Sequence, residues 1–540
     1  MTHATARPPL PPADICERAL DSRDPRFDGL FFVGITSTGI YCRPTCPARV
    51  CYTDRRRFFD SAASAEQAGF RPCLRCRPEL APGRAPMDAV PRLARVAADR
   101  IGAGALNGHG VGQLARELGV SERHLRRALE REIGVSPIEL AQTHRLLLAK
   151  RLLTDTSLSV TRIAFTSGFQ SLRRFNSVFR ERYRLCPSAV RRGQPARSEN
   201  LVAAAPLNDL IPLTLAYRPP LNWNTLLESL GQDALPGVEW AEGGRYARTV
   251  GLNGESGAIF AEDVAVRAHV IVYVSVSLLP VLMPLLARLR QLFDLDAEPT
   301  VVDTHLEQGG LGSLVRERPG IRIPGALDGF EVAFRSLLRD SATSAAMAAE
   351  VARGVVSAFG EPIATGIPQL TRLAPSAARV AEVGPARLVD LGVPREHAAA
   401  ITAVARAVVD GSLKLAPGES VTAARRALGE IEGVSGRLAT ALVLRAMHWP
   451  DAFPASDRAL QRAAGASSSG ALLARSEAWR PWRAYAALHL WLHDGVRFGM
   501  PPTRSRPGTD VAWRSVLSRA STRPWMGTTW SRGTTRRTAS

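Results

Sequence analysis

The sequence predicts a multidomain protein: a small α/β module, an all-α stretch with two helix-turn-helix units, and an α+β segment leading into an all-α region. Three observations predict it. Four cysteines fall in two close pairs, Cys42 with Cys46 and Cys73 with Cys76. Between residues 88 and 192, apolar positions recur at helical spacing and glycine interrupts them twice. Beyond residue 213, strand-like runs near 244–250, 257–260 and 264–276 give way to helical patterns from about 280 to 498. At 540 residues the chain is long enough for several domains, each with its own core.

The first module follows from ligand spacing. Cys42 and Cys46 have three residues between them, and Cys73 and Cys76 have two. Two such pairs separated by a long loop suit a tetrahedral all-thiolate zinc site. The chain has only seven cysteines, so a disulfide framework is not expected and a reducing compartment is. Residues 1–15 read as a proline-rich loose start, 16–80 as the zinc module and 81–86 as a linker.

From about Asp28 to Pro78, through Phe31-Phe32-Val33-Gly34-Ile35 and the cysteine block, this stretch closely resembles the zinc domain of bacterial adaptive-response (Ada-like) proteins. Those proteins repair methyl phosphotriesters in DNA. The resemblance implies that Cys42 is both zinc ligand and methyl acceptor, acting once and without turnover. A metal-held thiolate is deprotonated at neutral pH yet stays nucleophilic, as that chemistry requires. Arg43, Arg71, Arg75 and Arg77 crowd the ligands; they read either as holders of the phosphate backbone or as solvated surface arginines.

In residues 88–192, Val111 to Leu118 forms the first helix, Gly119 breaks it, and Ser121 is placed to cap a basic helix over Glu122–Arg131. A second unit runs from Val160 through Gly168 to a helix over Ser171–Arg182. Arg123, Arg126 and Arg127 in one helix, and Arg173 and Arg174 in the other, are the candidate DNA-binding residues. Leu125, Leu129, Leu172, Phe175 and Phe179 form the inward stripe. Ile163-Ala164-Phe165, Gly168-Phe169 and Arg174-Phe175-Asn176 resemble the AraC-type regulator domain. That family carries two such motifs on a linking helix, here expected around Pro137–Leu153.

After a polar linker at 193–206, residues 213–300 are expected to form an α+β domain and 301–498 a helical one. The stretch Ala268–Ala287 is long enough to cross a membrane. His269, two serines and two prolines within it point instead to a buried strand followed by a helix. Residues 499–540 are arginine-rich with little to make a core, and are expected to be disordered.

Leu428 to Thr440 reads as helix, glycine-containing turn and helix, an arrangement that can aim backbone N–H groups at a phosphate. Asp457 follows the second helix, where it can cap the helix starting at Arg458 or face a base drawn out of a duplex. Residues 213–498 resemble 3-methyladenine DNA glycosylase II (AlkA-like), of the helix-hairpin-helix superfamily. The match lies in Tyr217-Arg218-Pro219-Pro220, Phe453-Pro454-Ala455-Ser456-Asp457 and Trp479-Arg480-Pro481-Trp482. The resemblance implies Asp457 as catalytic carboxylate, Trp479 and Trp482 along the base pocket, and Gly433, Gly436 and Arg437 at DNA. It also implies a monofunctional DNA-3-methyladenine glycosylase, since neither lysine, Lys150 or Lys414, is near Asp457 in sequence. Departures from the family fall at Arg339, Asp340, Ser341, Ser435, Arg437 and Ala441, and point to altered substrate range or reduced activity.

Net charge is +19, from 69 basic against 50 acidic residues, which favours a polyanionic partner. No secretory signal is visible. The expected protein is therefore cytoplasmic, associated with the nucleoid, and not membrane-bound. It is an alkylation-response activator that uses zinc, binds double-stranded, alkylated and promoter DNA, works with RNA polymerase, and excises alkylated bases such as 3-methyladenine. The rival expectation is a DNA-binding regulator whose glycosylase domain is silent or altered in specificity.

Overall fold

The computed structural model describes residues 10–48, 52–83, 92–192, 210–232, 234–341 and 345–495. The expected basic tail at 499–540, the linker at 193–206 and residues 84–86 of the first linker lie outside the described residues.

The zinc module opens with a helix over Ala13–Asp21, earlier than the loose start expected up to residue 15. Its apolar face is buried through Cys16, Ala19 and Leu20. Four short strands follow, β1 (Phe32–Ile35), β2 (Ile40–Cys42), β3 (Arg56–Phe59) and β4 (Arg71–Pro72), in the order β3-β1-β2-β4. β1 runs antiparallel to β2 and β3, while β2 and β4 are parallel. Gly34 in β1 lets two rings close over the sheet. A Cβ there would come within 2.8 Å of Phe59 and 2.9 Å of Phe70.

The double helix-turn-helix forms as the pattern predicts. α1 (Val111–Glu117) and α2 (Glu122–Ile133) are joined through Gly119, and the Ser121 hydroxyl accepts the His124 N–H at the start of α2. α3 (Pro137–Asp155) begins with a reciprocal Ser136–Glu139 cap and proline in its first turn. α4 (Val160–Thr166) and α5 (Leu172–Tyr183) make the second unit. Phe175, Phe179 and Tyr183 stack inward along α5, with centroid separations of 5.4 and 4.3 Å.

α3 is the linking helix, and it is buried on most of its circumference. Lys150 is fully buried within it, donating to the Cys73 carbonyl at 2.8 Å and the Glu79 carboxylate at 2.6 Å. Arg77 reaches Asp155 at the end of α3 through two bonds of 2.6 and 2.8 Å. Glu66 accepts from Thr143 and Arg182, both at 2.8 Å. The cysteine loop is thus fastened to the helix that joins both helix-turn-helix units.

Five antiparallel strands make the next sheet: β5 (Leu210–Ala216), β6 (Glu239–Glu242), β7 (Arg245–Leu252), β8 (Glu255–Val264) and β9 (His269–Ser275), in the order β5-β9-β8-β7-β6. β9 and the helix over Leu282–Leu292 account for the apolar stretch 268–287 as a strand followed by a helix. Among the described residues no helix is long and apolar enough to cross a membrane.

One apolar core runs from Leu146 on α3 through Phe175 and Tyr183 on α5 to Val272 on β9 and Phe293. Packing therefore crosses the boundary that composition suggested near 193–213, because α4 packs on the segment Val276–Val281 that follows β9. The first linker is held as well. The Gly83 N–H bonds Asp296 at 2.6 Å and its carbonyl accepts from Arg218.

Helical residues beyond 300 pack into two clusters, one around Phe334, Ile401 and Leu442, the other around Leu306, Trp479 and Leu490. A buried ionic network ties the sheet to α6 (Gly329–Asp340). Arg248 bonds Glu239 at 2.6 Å and Glu331 at 2.8 Å, and Arg335 bonds Glu239 at 2.9 Å. Burial alone would raise the Glu239 carboxyl, yet the guanidiniums of Arg335 and Arg248 hold it below the usual range.

Candidate functional site

Two sites of different construction emerge. In the first, β2 delivers Cys42, and the Cys46 N–H turns back onto the Arg43 carbonyl at 3.1 Å. The Cys73 N–H bonds the Tyr41 carbonyl at 3.0 Å, which brings the second pair beside the first. The sulfurs of Cys42, Cys46, Cys73 and Cys76 all lie within 4.8 Å of one another, and none is in a disulfide. Four sulfurs around a tetrahedral zinc ion stand about 3.8 Å apart, so the cluster fits an all-cysteine zinc site. Backbone N–H groups of Arg43 and Arg75 point at Cys76 and Cys73 sulfur, at 3.4 and 3.3 Å. All four residues are buried, and Cys42 is the most open at 9%.

Two of the four arginines expected at this site are paired within the protein, and Arg43 also donates to the Cys76 carbonyl at 3.2 Å. Arg43 is locked on buried Asp28, bonding one carboxylate oxygen at 2.8 Å, and Arg77 is committed to Asp155, Thr154 and Glu79. Arg75 is exposed and Arg71 half-buried beside the cluster. Sequence reveals that these arginines are near the cysteines but not which acids they meet.

On the helix-turn-helix units, Arg123, Arg126 and Arg127 on α2 and Arg173 and Arg174 on α5 are all exposed, opposite the buried Leu125, Leu129, Phe175 and Phe179. A shallow groove along α5 is lined by Arg173, Asn176, Arg180 and Arg184.

The second site gathers distant parts of the chain. At the hairpin, Gly433 has φ +87°, a left-handed conformation that favours glycine. The Ser435 hydroxyl then caps α7 (Gly436–Ala446). Gly433, Gly436 and Arg437 are exposed there. α7 contributes Leu438 and Leu442 to one helical cluster and Leu444 to the other. Asp457 begins α8 (Arg458–Ala463) and is 6% exposed. Its Oδ1 accepts the Ala459 and Leu460 N–H groups at 2.9 and 3.1 Å and the Trp491 indole N–H at 3.4 Å. With Oδ1 saturated, Oδ2 is left toward Arg437, whose Nη1 is 3.9 Å away. The helix cap, one of the two roles the sequence leaves open for Asp457, is made by Oδ1 alone.

Trp479 and Trp482 occupy a different place from the one expected. Trp479 is fully buried, donates to the Gly309 carbonyl at 2.9 Å and packs edge-on against Phe453. Trp482 is 2% exposed and packs edge-on against Tyr485. Both rings fill the helical core, and the indole at the carboxylate belongs to Trp491 on α9 (Arg483–His493). α9 is apolar on nearly every side, so periodicity carries no signal that singles Trp491 out. Arg437 lies between two carboxylates: beside its approach to Asp457, its Nη2 bonds Asp340, the last residue of α6, at 3.1 Å. Ser341 turns back to bond the Leu338 carbonyl at 2.6 Å.

Comparison with known proteins gives these sites their family. Residues 15–79 match a family described as the metal binding domain of Ada, 114–193 a helix-turn-helix domain, and 212–328 the AlkA N-terminal domain. The chain is 36% identical over 485 residues to the "Probable bifunctional transcriptional activator/DNA repair enzyme AlkA" of Mycobacterium tuberculosis (strain CDC 1551 / Oshkosh), covering 88% of this chain and 95% of that protein. It is 31% identical over 282 residues to "DNA-3-methyladenine glycosylase 2" of Escherichia coli (strain K12), covering 52% of this chain and 97% of that one. It is 32% identical over 151 residues to the "Bifunctional transcriptional activator/DNA repair enzyme Ada" of the same organism, covering 27% and 40%. These matches correct one expectation: the relative aligned along nearly the whole chain is bifunctional by name, so the description as a monofunctional glycosylase does not hold. The chain belongs to the family of bifunctional transcriptional activator/DNA repair enzymes that join an Ada-type zinc and helix-turn-helix region to an AlkA-type glycosylase region.

Proposed function

We propose that this protein is an alkylation-response activator that takes a methyl group from DNA phosphotriesters onto Cys42 and excises alkylated bases through Asp457. What supports it most is that one chain carries both a convergent four-sulfur cluster and a buried carboxylate facing a helical hairpin.

Zinc, when bound by Cys42, Cys46, Cys73 and Cys76, keeps their sulfurs as thiolates at neutral pH. The Cys42 sulfur attacks the methyl carbon, the C–O bond breaks, and its electron pair stays on the phosphate oxygen, restoring a diester. Methylation of Cys42 removes one negative charge beside DNA and strengthens association, so promoter DNA and RNA polymerase are the proposed partners of the activated form. Arg123, Arg126, Arg127, Arg173 and Arg174 are the proposed DNA contacts of the helix-turn-helix units, with Gly433 and Gly436 carrying backbone N–H groups toward phosphate.

At the second site the damaged nucleotide is drawn out of the duplex. Asp457 stabilises positive charge developing on the sugar while water attacks C1′. A regulator with a silent glycosylase region is the competing reading, favoured by Arg437 standing in front of Asp457. Incubation with alkylated duplex DNA separates the two. Release of free base that falls about 100-fold in Asp457→Asn supports excision, and release no faster than in buffer supports the silent form. Mass analysis tests the other half: one added methyl per chain, absent from Cys42→Ser.

A further inference from the structure

We infer that Arg437 sets the substrate class of the Asp457 site: a damaged but uncharged purine that offers hydrogen-bond acceptors, in preference to a cationic N-methylated one. This deepens the excision through Asp457 proposed above and rests on it.

Oδ1 of Asp457 is taken up by three N–H groups, so a sugar or base can engage the carboxylate only on the Oδ2 side. Arg437 stands on that side, 3.9 Å from Oδ2, and Asp340 anchors its other nitrogen at 3.1 Å. The Arg437 side chain is 43% exposed and that of Asp457 only 7%. Of the two groups, the guanidinium is the one solvent reaches more readily. α7 carries Arg437 on its first turn, held by the Ser435 cap and by buried Leu438 and Leu442.

A guanidinium only donates hydrogen bonds and keeps its charge throughout the working pH range. Methylation of a purine at N3 or N7 removes the acceptor at that atom and adds positive charge, both unfavourable beside Arg437. An uncharged adduct keeps its acceptors but is a poor leaving group, because negative charge builds on the departing ring. Arg437 is placed to stabilise that charge. In the step itself, the water oxygen bonds C1′ as the C1′–N9 bond breaks. N9 retains the bonding pair and is protonated by solvent after release, and Asp457 Oδ2 takes the proton lost by water.

The test uses the full chain under single-turnover conditions on two duplexes, one with 1,N6-ethenoadenine and one with 7-methylguanine. Arg437→Leu is expected to slow release of the uncharged base about tenfold and speed release of the cationic one about tenfold, so that their ratio falls about 100-fold. Arg437→Lys, which keeps the charge, retains most of the wild-type ratio. Arg437→Gln keeps a donor without the charge and serves as the second variant should the leucine protein melt early: here cationic release rises while neutral release changes less. If wild type excises both bases and the ratio does not move in Arg437→Leu or Arg437→Gln, the assignment is overturned and excision stands. If wild type and Asp457→Asn behave alike on both duplexes, excision itself fails and the assignment with it.

Discussion

The two sites reach their geometry by opposite routes. The four-cysteine centre is local: all its ligands come from a stretch of 35 residues, and a short sheet fixes the distance between its halves. The Asp457 site is assembled from α6, α7, α8 and α9, whose contributing residues run from Asp340 to Trp491. A local site survives changes in the packing around it but depends on its metal. An assembled site depends on two helical clusters meeting at α7.

The largest effect that could break this contrast is metal removal. A strong chelator, or Cys73→Ser, should unfold the cysteine module with a loss on the order of 10 kcal/mol, while the helical region beyond 300 keeps its own melting transition. Bound zinc and two-step calorimetry read this directly. A single shared transition would mean that the centre is not local.

Lys150 sharpens the same point at the seam. It is fully buried against Glu79, which is itself almost inaccessible. Lys150→Met leaves that carboxylate short of a partner and should cost about 3–5 kcal/mol, measured as lowered denaturant resistance of the first two regions.

Acid should act next, both on α9 and on α3, where burial also pushes His144 down to about 4. Burial pushes His489 on α9 down to about 4. An unfolded histidine takes its proton near pH 6.5, so between about 6.5 and 4 only the unfolded chain is protonated. Stability is full above that window and falls by about 3 kcal/mol per histidine across it, as melting curves at stepped pH should record. His489→Gln should flatten the slope. At lower pH, protonation of Glu239 removes a further contribution, since its folded carboxyl lies below the ordinary value.

The smallest effect concerns Trp491. Its long bond to Asp457 predicts that Trp491→Phe, which keeps the ring but loses the N–H, slows base release only several-fold, or about 1 kcal/mol.

The same contrast explains what could be read from the chain. Cysteine spacing, the glycine breaks at Gly119 and Gly168, and the cap at Ser121 are short-range signals, and each appears in the structure where the pattern places it. Asp457 was legible as a position, though not as two oxygens with separate partners. Trp491 was not legible, because α9 is buried on most sides and its tryptophan looks like any core residue. Nor was the bridge from Arg437 to Asp340, since nothing local links residues 97 apart. The continuous core from α3 to β9 was hidden for a related reason: composition marks where the chain is polar, not which apolar faces meet.

In the proposed function, one chain joins a sulfur that reacts once to a carboxylate site that turns over. The most direct measurement uses a duplex carrying a labelled methyl phosphotriester and a second label on a damaged, uncharged purine. The methyl label should move to protein up to one per chain and stay in DNA with Cys42→Ser. The purine label should keep appearing in solution beyond one equivalent and stay in DNA with Asp457→Asn. Both labels remaining in DNA with wild-type protein, or moving equally well with those two variants, would contradict the account.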